Sequence, residues 1–357
     1  MSISPPPVLA RPLGSVPLPD ALSLVADRAF ESRAGGARRA LLFRGADLEA
    51  YHPDELFAGG RGPRAVFPVP WPGWTRGRVS LSPDGSFAVF AGQRAVRAVG
   101  ADGTTLWEYR HACWGPRAGH PHTGDEQEVC AGFEHGSCRV SDDGRSVWAH
   151  VAVAGEEYDE AWAVLDARDG RELALLPLGD GAAAGSHHLS HPDGVHMGLC
   201  VGMGQDGILL YWGRLDGGKV TAWDLNDTAD RILLDAHPAH GGFLTVEHHG
   251  ADLRLHALDG TVLAEREERG EEVPWDCAGG FVDAGTVLAC TGYECDEDDE
   301  GVRHWLLDAP TLEVRGRVAY PSDPGDGPAR PLGDGTWLTY DEESGTLHRW
   351  SAAGADG

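Results

Sequence analysis

Short apolar or alternating runs recur along the chain: SFAVFA (86–91), RSVWAHVAVAG (145–155), VHMGLCVGM (195–203), FLTVEHH (243–249), TVLACTGY (286–293) and TWLTYD (336–341). Their length and content of Val, Thr, Phe and Trp predict β-strands. Each follows a glycine-terminated turn, in WTRGRVSLSPDG (74–85), FEHGSCRVSDDG (133–144), SHHLSHPDG (186–194), ILLDAHPAHGG (232–242), AGGFVDAG (278–285) and ARPLGDG (329–335). A second strand then leads to another turn, as in VGADGTTLW (99–107), VLDARDGREL (164–173) and LHALDGTVL (255–263), and a further strand follows. Asp-Gly supplies the positive φ that a tight hairpin demands, so these turns have a physical cause.

The unit is therefore strand A, turn, strand B, connection, strand C, turn, strand D. Its A–B turns lie roughly 42 to 59 residues apart, the spacing of four-stranded propeller blades. Six such turns are visible. A seventh unit is betrayed by a second hairpin: ALLFRGADLEAYHPDE (40–55) matches TVEHHGADLRLHALDG (245–260), both centred on Gly-Ala-Asp-Leu. The expectation is an all-β protein, a β-propeller of seven four-stranded blades closed as a ring, with six or eight blades as the alternatives. Residues 1–357 form one propeller domain in this reading. The last copy, ARPLGDGTWLTYDEESGTLHRWSA (329–352), stops after strand C, and PVLARPLGSVPL within residues 1–18 is expected to supply its fourth strand. Residues 19–31 have helical spacing and are expected to be a short helix or the first inner strand. Residues 111–136 form a long inter-blade insert.

The chain resembles the WD-repeat class of propellers in its Ser-x-Asp-Gly turns (Ser82–Gly85, Ser141–Gly144) and in the Trp223-Asp224 pair, although that pair falls on a fourth strand. The resemblance implies a platform for protein interactions.

Composition narrows the function. A net charge of −27 repels nucleic acid and anionic membranes and suits basic partners or cations. Seven scattered cysteines without a Cys-x-x-Cys pair fit a reducing compartment, with most thiols buried. No membrane-span pattern or signal-peptide pattern is visible, so a cytoplasmic monomer is expected.

In a propeller, D–A and B–C connections share one face, here called the top, while A–B and C–D turns share the other. Long loops on a rigid scaffold are where binding usually resides. Trp71 and Trp74 in PVPWPGWTRG, Trp114 in HACWGPRAGHPH and Trp275 in EEVPWDCAGG fall on D–A connections and are expected as presented anchors. Arg76 and His135 hold equivalent positions before strand A, and Asp276 lies within one residue of that register. They would ring the channel mouth. The acidic B–C segments 154–161 and 292–301 rise from the same face. Asp296, Asp298 and Glu300 imitate the start of an EF-hand, but the twelfth position is Leu307 rather than glutamate. For metal, the insert offers His111, Cys113, His120 and His122, a soft ligand set that matches no zinc signature. His187 and His188 begin a strand A, whereas His191, His237 and His240 lie at bottom turns, so the histidines are not expected to converge. Gly202–Gly207 fits G-x-G-x-x-G but runs into a strand, which excludes a dinucleotide site.

No nucleophile elbow, HExxH or P-loop occurs. The sequence thus points to a non-catalytic scaffold that binds a protein or peptide on its top face without a cofactor. The alternative is a propeller hydrolase or lactonase using a top-centre cation.

Overall fold

A short strand buries too little apolar surface to stand alone, so each of these hairpins needs a neighbour. The computed structural model describes residues 5–17, 30–31, 39–59, 62–71, 73–115, 129–130, 134–153, 160–179, 185–226, 230–239, 241–267, 274–292 and 302–353, and these form seven blades. After β1 (Val8–Pro17), blade one comprises β2 (Phe30–Glu31), β3 (Arg39–Arg44), β4 (Asp47–Tyr51) and β5 (Ala65–Pro68), with helix α1 (Pro53–Phe57) between its last two strands. Blade two is β6 (Val79–Leu81), β7 (Phe87–Ala91), β8 (Ala95–Gly100) and β9 (Thr105–Arg110); blade three is β10 (Cys138–Val140), β11 (Ser146–Ala152), β12 (Glu160–Asp166) and β13 (Glu172–Gly179). Blade four holds β14 (Gly185–Ser190), β15 (His196–Gly202), β16 (Ile208–Asp216) and β17 (Lys219–Asp224). Blade five holds β18 (Arg231–Ala236), β19 (Phe243–Glu247), β20 (Asp252–His256) and β21 (Val262–Glu267). Blade six is β22 (Trp275–Asp283), β23 (Thr286–Thr291), β24 (Arg303–Asp308) and β25 (Val314–Ala319); blade seven is β26 (Arg330–Pro331), β27 (Thr336–Asp341), β28 (Thr346–Ala352) and the returning β1.

Closure is achieved by that return. Ala10–Pro17 pairs antiparallel with Thr346–Ala352, while Val8 and Leu9 also pair parallel with Val318 and Ala319 of blade six. Helix α1 packs on this seam: Phe57 lies against Gly14, and Arg349 of β28 bonds both Asp54 of the helix and Asp334, the latter at 2.8 Å.

The blades cohere through an apolar layer at every interface. Phe67 and Leu48 meet Leu81 between blades one and two, Val96 and Ala98 meet Val147 and Ala163 between two and three, and Trp148 and Trp162 meet Met197 and Leu199 between three and four. Leu210 and Trp212 face Leu233 and Phe243, Leu253 and Leu255 face Phe281 and Val287, Leu288 and Leu306 face Trp337 and Trp350, and Leu338 and Leu347 face Ala40 and Leu42. The seventh of these interfaces completes the ring.

The repeated hairpins take the expected places. Gly45 (φ 62°) and Gly250 (φ 79°) both turn B into C, and Leu48 and Leu253 are fully buried just after. Gly85, Gly144, Gly194 and Gly335 turn A into B with φ between 72° and 90°. Phe30–Glu31 is the inner strand of blade one, and residues 18–29 lie outside the described set. After Gly202 the chain makes a single 3-10 turn (Gly204–Asp206) and enters β16, so the G-x-G-x-x-G stretch does not open an α-helix. Leu307 lies buried on β24, and the acidic residues before it fall outside the described residues. Among the described residues no helix is long and apolar enough to cross a membrane.

Candidate functional site at the top of blades two to four

The D–A connections determine what the top face offers. The four indoles expected there as anchors are buried: Trp71 is 5% exposed, Trp74 8%, Trp114 4% and Trp275 4%. Trp71 lies under the Arg97 guanidinium, 4.6 Å from its ring centre, and fills the space a Cβ at Gly92 would need. Trp74 donates its indole N–H to the Ala91 carbonyl at 3.0 Å, and Trp114 packs 5.2 Å from the His150 ring. Wide rings are required there because blades diverge outward from the axis and leave wedge-shaped gaps. These residues are therefore packing elements in the folded chain, which corrects the expectation of presented indoles.

The polar positions separate. Arg76 is half-buried and lies over Trp74, 5.8 Å from its ring, three residues before β6. His135 is half-buried three residues before β10, with its ring where a side chain at Gly185 of the next blade would sit. Asp276 instead lies within β22 and is 4% exposed, so it does not form part of an open rim. β22 begins one residue before Asp276, whereas β6 and β10 begin three residues after Arg76 and His135, so the longer strand takes Asp276 into the sheet.

Below His135 a chain of hydrogen bonds ties the inner strands together. Ser137 Oγ lies 2.7 Å from both Ser186 Oγ and His188 Nδ1, and Trp162 Nε1 donates to His188 Nε2 at 2.9 Å. Arg139 Nε donates to Ser190 Oγ (3.0 Å), which donates to Asp142 (2.7 Å), and Arg78 Nε of blade two reaches the Ser186 carbonyl of blade four (3.1 Å). Sequence reasoning missed this cluster. Its signal was the two-residue spacing of polar side chains in Ser137-x-Arg139 and Ser186-x-His188-x-Ser190, which places them on one strand face.

Ser137 and His188 have the separation of a nucleophile and its base, but the opposite polarity. An indole N–H can only donate, so His188 Nε2 must accept, and the neutral ring carries its proton on Nδ1. His188 then donates to Ser137 and cannot remove its proton. Enclosure of the ring, with nearby His150, His187, Arg139 and Arg78, pushes the imidazole well below its ordinary range. The cluster holds strands in register.

Beside it, His150 Nε2 and Glu160 Oε2 form a buried pair at 2.8 Å. His111 Nδ1 donates to the Ala112 carbonyl at 2.6 Å, and burial pushes the ring down to about 4. Cys113 Sγ lies 3.7 Å from Cys130 Sγ, with Gln93 Nε2 donating to both sulfurs. His120 and His122 lie outside the described residues. Histidines do converge elsewhere: His191 and His196 meet around Asp193 at the bottom of blade four.

The architecture defines a seven-bladed β-propeller. The chain is similar to the β-propeller domain of Cps50 (Swd1) from Myceliophteria thermophila, with a TM-score of 0.54 at 11% identity over 95% of this chain and 100% of that domain. No family model and no curated protein matches it.

Proposed function

We propose that this chain is a non-catalytic propeller scaffold whose top face binds a protein or peptide. The observation that carries the reading is the asymmetry of the ring. Its D–A and B–C connections include 69–78, 111–137, 268–274, 292–302 and 320–329, whereas the A–B and C–D connections among the described residues are tight turns apart from 52–64, which carries α1. Arg76 and His135 stand at the starts of neighbouring inner strands on the long-loop face and provide a guanidinium and an imidazole for polar recognition. Glu156, Glu157, Asp159, Glu268, Glu271, Glu272 and the run from Glu294 to Glu300 belong to the same set of connections, so the partner is a basic segment. With a charge of −27 the chain repels nucleic acid and anionic membranes. The wiring of Ser137 and His188 supports a binding role over a hydrolytic one, and no cofactor is invoked. The scaffold acts as a cytoplasmic monomer of one propeller domain, consistent with its scattered free thiols.

Selection from a peptide library of mixed charge, followed by fluorescence anisotropy, tests this. Peptides that combine Lys/Arg with a carboxylate should be enriched; Glu271→Gln/Glu272→Gln should weaken them through lost attraction and Arg76→Ala through the lost contact to the carboxylate, each about tenfold with an unchanged circular dichroism spectrum. Normal binding by both variants, with loss on changing bottom residue His237, would place the site on the other face.

A further inference from the structure

Blade four departs from its neighbours at one turn. Blades two and three write it Ser82-Pro-Asp84-Gly-Ser-Phe87 and Ser141-Asp-Asp143-Gly-Arg-Ser146; blade four writes it His191-Pro-Asp193-Gly-Val-His196. The serines suffice to build it. Ser82 Oγ donates to Asp84 Oδ1 at 2.8 Å and accepts the Phe87 N–H at 3.0 Å, while Ser141 Oγ donates to Asp143 Oδ1 at 2.7 Å and accepts the Ser146 N–H at 3.1 Å. In blade four, Asp193 Oδ1 accepts the N–H groups of Val195 (2.9 Å) and His196 (3.0 Å), the second of which a serine hydroxyl accepts in the other two blades. Asp193 Oδ2 is left to the two imidazoles, 2.6 Å from His196 Nδ1 and 3.1 Å from His191 Nδ1.

We propose that His191 Nδ1, Asp193 Oδ2 and His196 Nδ1 form a binding site for a divalent transition-metal ion of the zinc class. The backbone N of Asp193 lies 3.3 Å from His191 Nδ1, too long a contact to compete with a metal for that nitrogen's lone pair, which a ligating imidazole presents unprotonated. His191 Nδ1 and His196 Nδ1 lie 3.1 Å and 2.6 Å from Asp193 Oδ2, contacts that ring protons make in the metal-free chain and that a metal replaces by displacing those protons. All three atoms lie within 4.8 Å of one another. Bonds of about 2.1 Å in a tetrahedron set ligand atoms roughly 3.4 Å apart, so the His191–Asp193 edge needs almost no adjustment and His196 a small outward turn.

The rings are already oriented. His196 stacks between Trp212 (6.1 Å, 14°) and Trp223 (6.1 Å, 27°), and His191 meets the Trp212 edge at 5.9 Å. His191 is fully buried and His196 nearly so, while Asp193 is half-buried and gives the ion its way in. Two imidazoles and one carboxylate select a borderline ion such as Zn²⁺ over Ca²⁺ or Mg²⁺, which prefer all-oxygen shells. The site lies on the face opposite the proposed binding surface and is independent of that reading.

The test uses the full chain, stripped with chelator, reloaded with Zn²⁺ and desalted. Mass spectrometry should find a metal equivalent that survives in a Cys113→Ser/Cys130→Ser variant. It should be lost in His191→Ser/His196→Phe, which copies the turn of blade two. Zn²⁺ should raise the melting temperature of the parent but not of the copied-turn variant. Should that variant fail to fold, Co²⁺ loaded into the parent decides: visible d–d bands without a thiolate charge-transfer band support the site. A parent that retains no metal, a variant that retains as much as the parent, or a thiolate band lost with Cys113 and Cys130 would overturn the proposal.

Discussion

Trp71 shows how one residue changes role between sequence and structure. Flanked by prolines it reads as a presented ring, yet it closes the wedge against Gly92 and Arg97. Trp71→Ala should therefore destabilise the fold by about 3–5 kcal/mol, the usual cost of removing a buried tryptophan, visible as a lower urea midpoint. An unchanged midpoint would return the ring to the surface. His256 and His304 carry a second residue-scale expectation. His256 accepts from Thr245 through Nε2 and donates through Nδ1 to the Gly260 carbonyl; His304 Nδ1 lies 2.7 Å from the Tyr320 hydroxyl. Burial lowers both rings from 6.5 to about 4. Between those values the unfolded chain binds protons that the folded chain refuses, so stability falls as pH drops. Each ring contributes up to about 1.4 kcal/mol per pH unit. Melting temperatures at pH 7 and pH 5 check the sign, and His304→Asn should flatten the slope.

Within a single element, blade five encloses a charge. Arg231 on β18 is 1% exposed, donates through Nε to Thr245 at 2.8 Å and pairs with Asp252 of β20 at 2.6 Å. Asp252→Ala would strand a buried guanidinium at a cost of about 3–5 kcal/mol, whereas Arg231→Met/Asp252→Leu should recover most of it. Urea unfolding of the single and double variants distinguishes an uncompensated charge from a simple loss of packing, for which the double variant would be the worse. Asp252 follows the Gly-Ala turn that exposed the seventh blade, so the hairpin was legible in the sequence. Its partner was not: Arg231 is twenty-one residues upstream, with one strand between them.

For the whole molecule, stability depends on a strand borrowed from the other end of the chain. Removal of residues 1–18 would leave β28 as an open edge, a template for pairing with other chains, and would uncover Trp350 and the Arg349–Asp54 contact with α1. The truncated protein should melt at a clearly lower temperature and aggregate on concentration, followed by scanning calorimetry and light scattering. A truncation as stable as the parent would mean that another segment closes blade seven.

The sequence by itself determined the repeating unit, its turns and the closing strand. Positive-φ glycines, alternating strands and a missing fourth strand are local facts, written within a few residues of each other. It also determined which connections share a face, because strand order in a propeller fixes that. The tertiary structure decided which side chains face solvent and which side chains meet. Trp74 is buried because it packs into an apolar cluster drawn from several blades, and Ser137 meets His188 only because blade three stands beside blade four. Even His191 and His196, five residues apart, converge only because the Asp-Gly turn folds strand A back on strand B and two tryptophans from farther along the chain hold the rings there. Local chemistry sets backbone shape, whereas burial and convergence depend on surfaces brought from elsewhere in the chain.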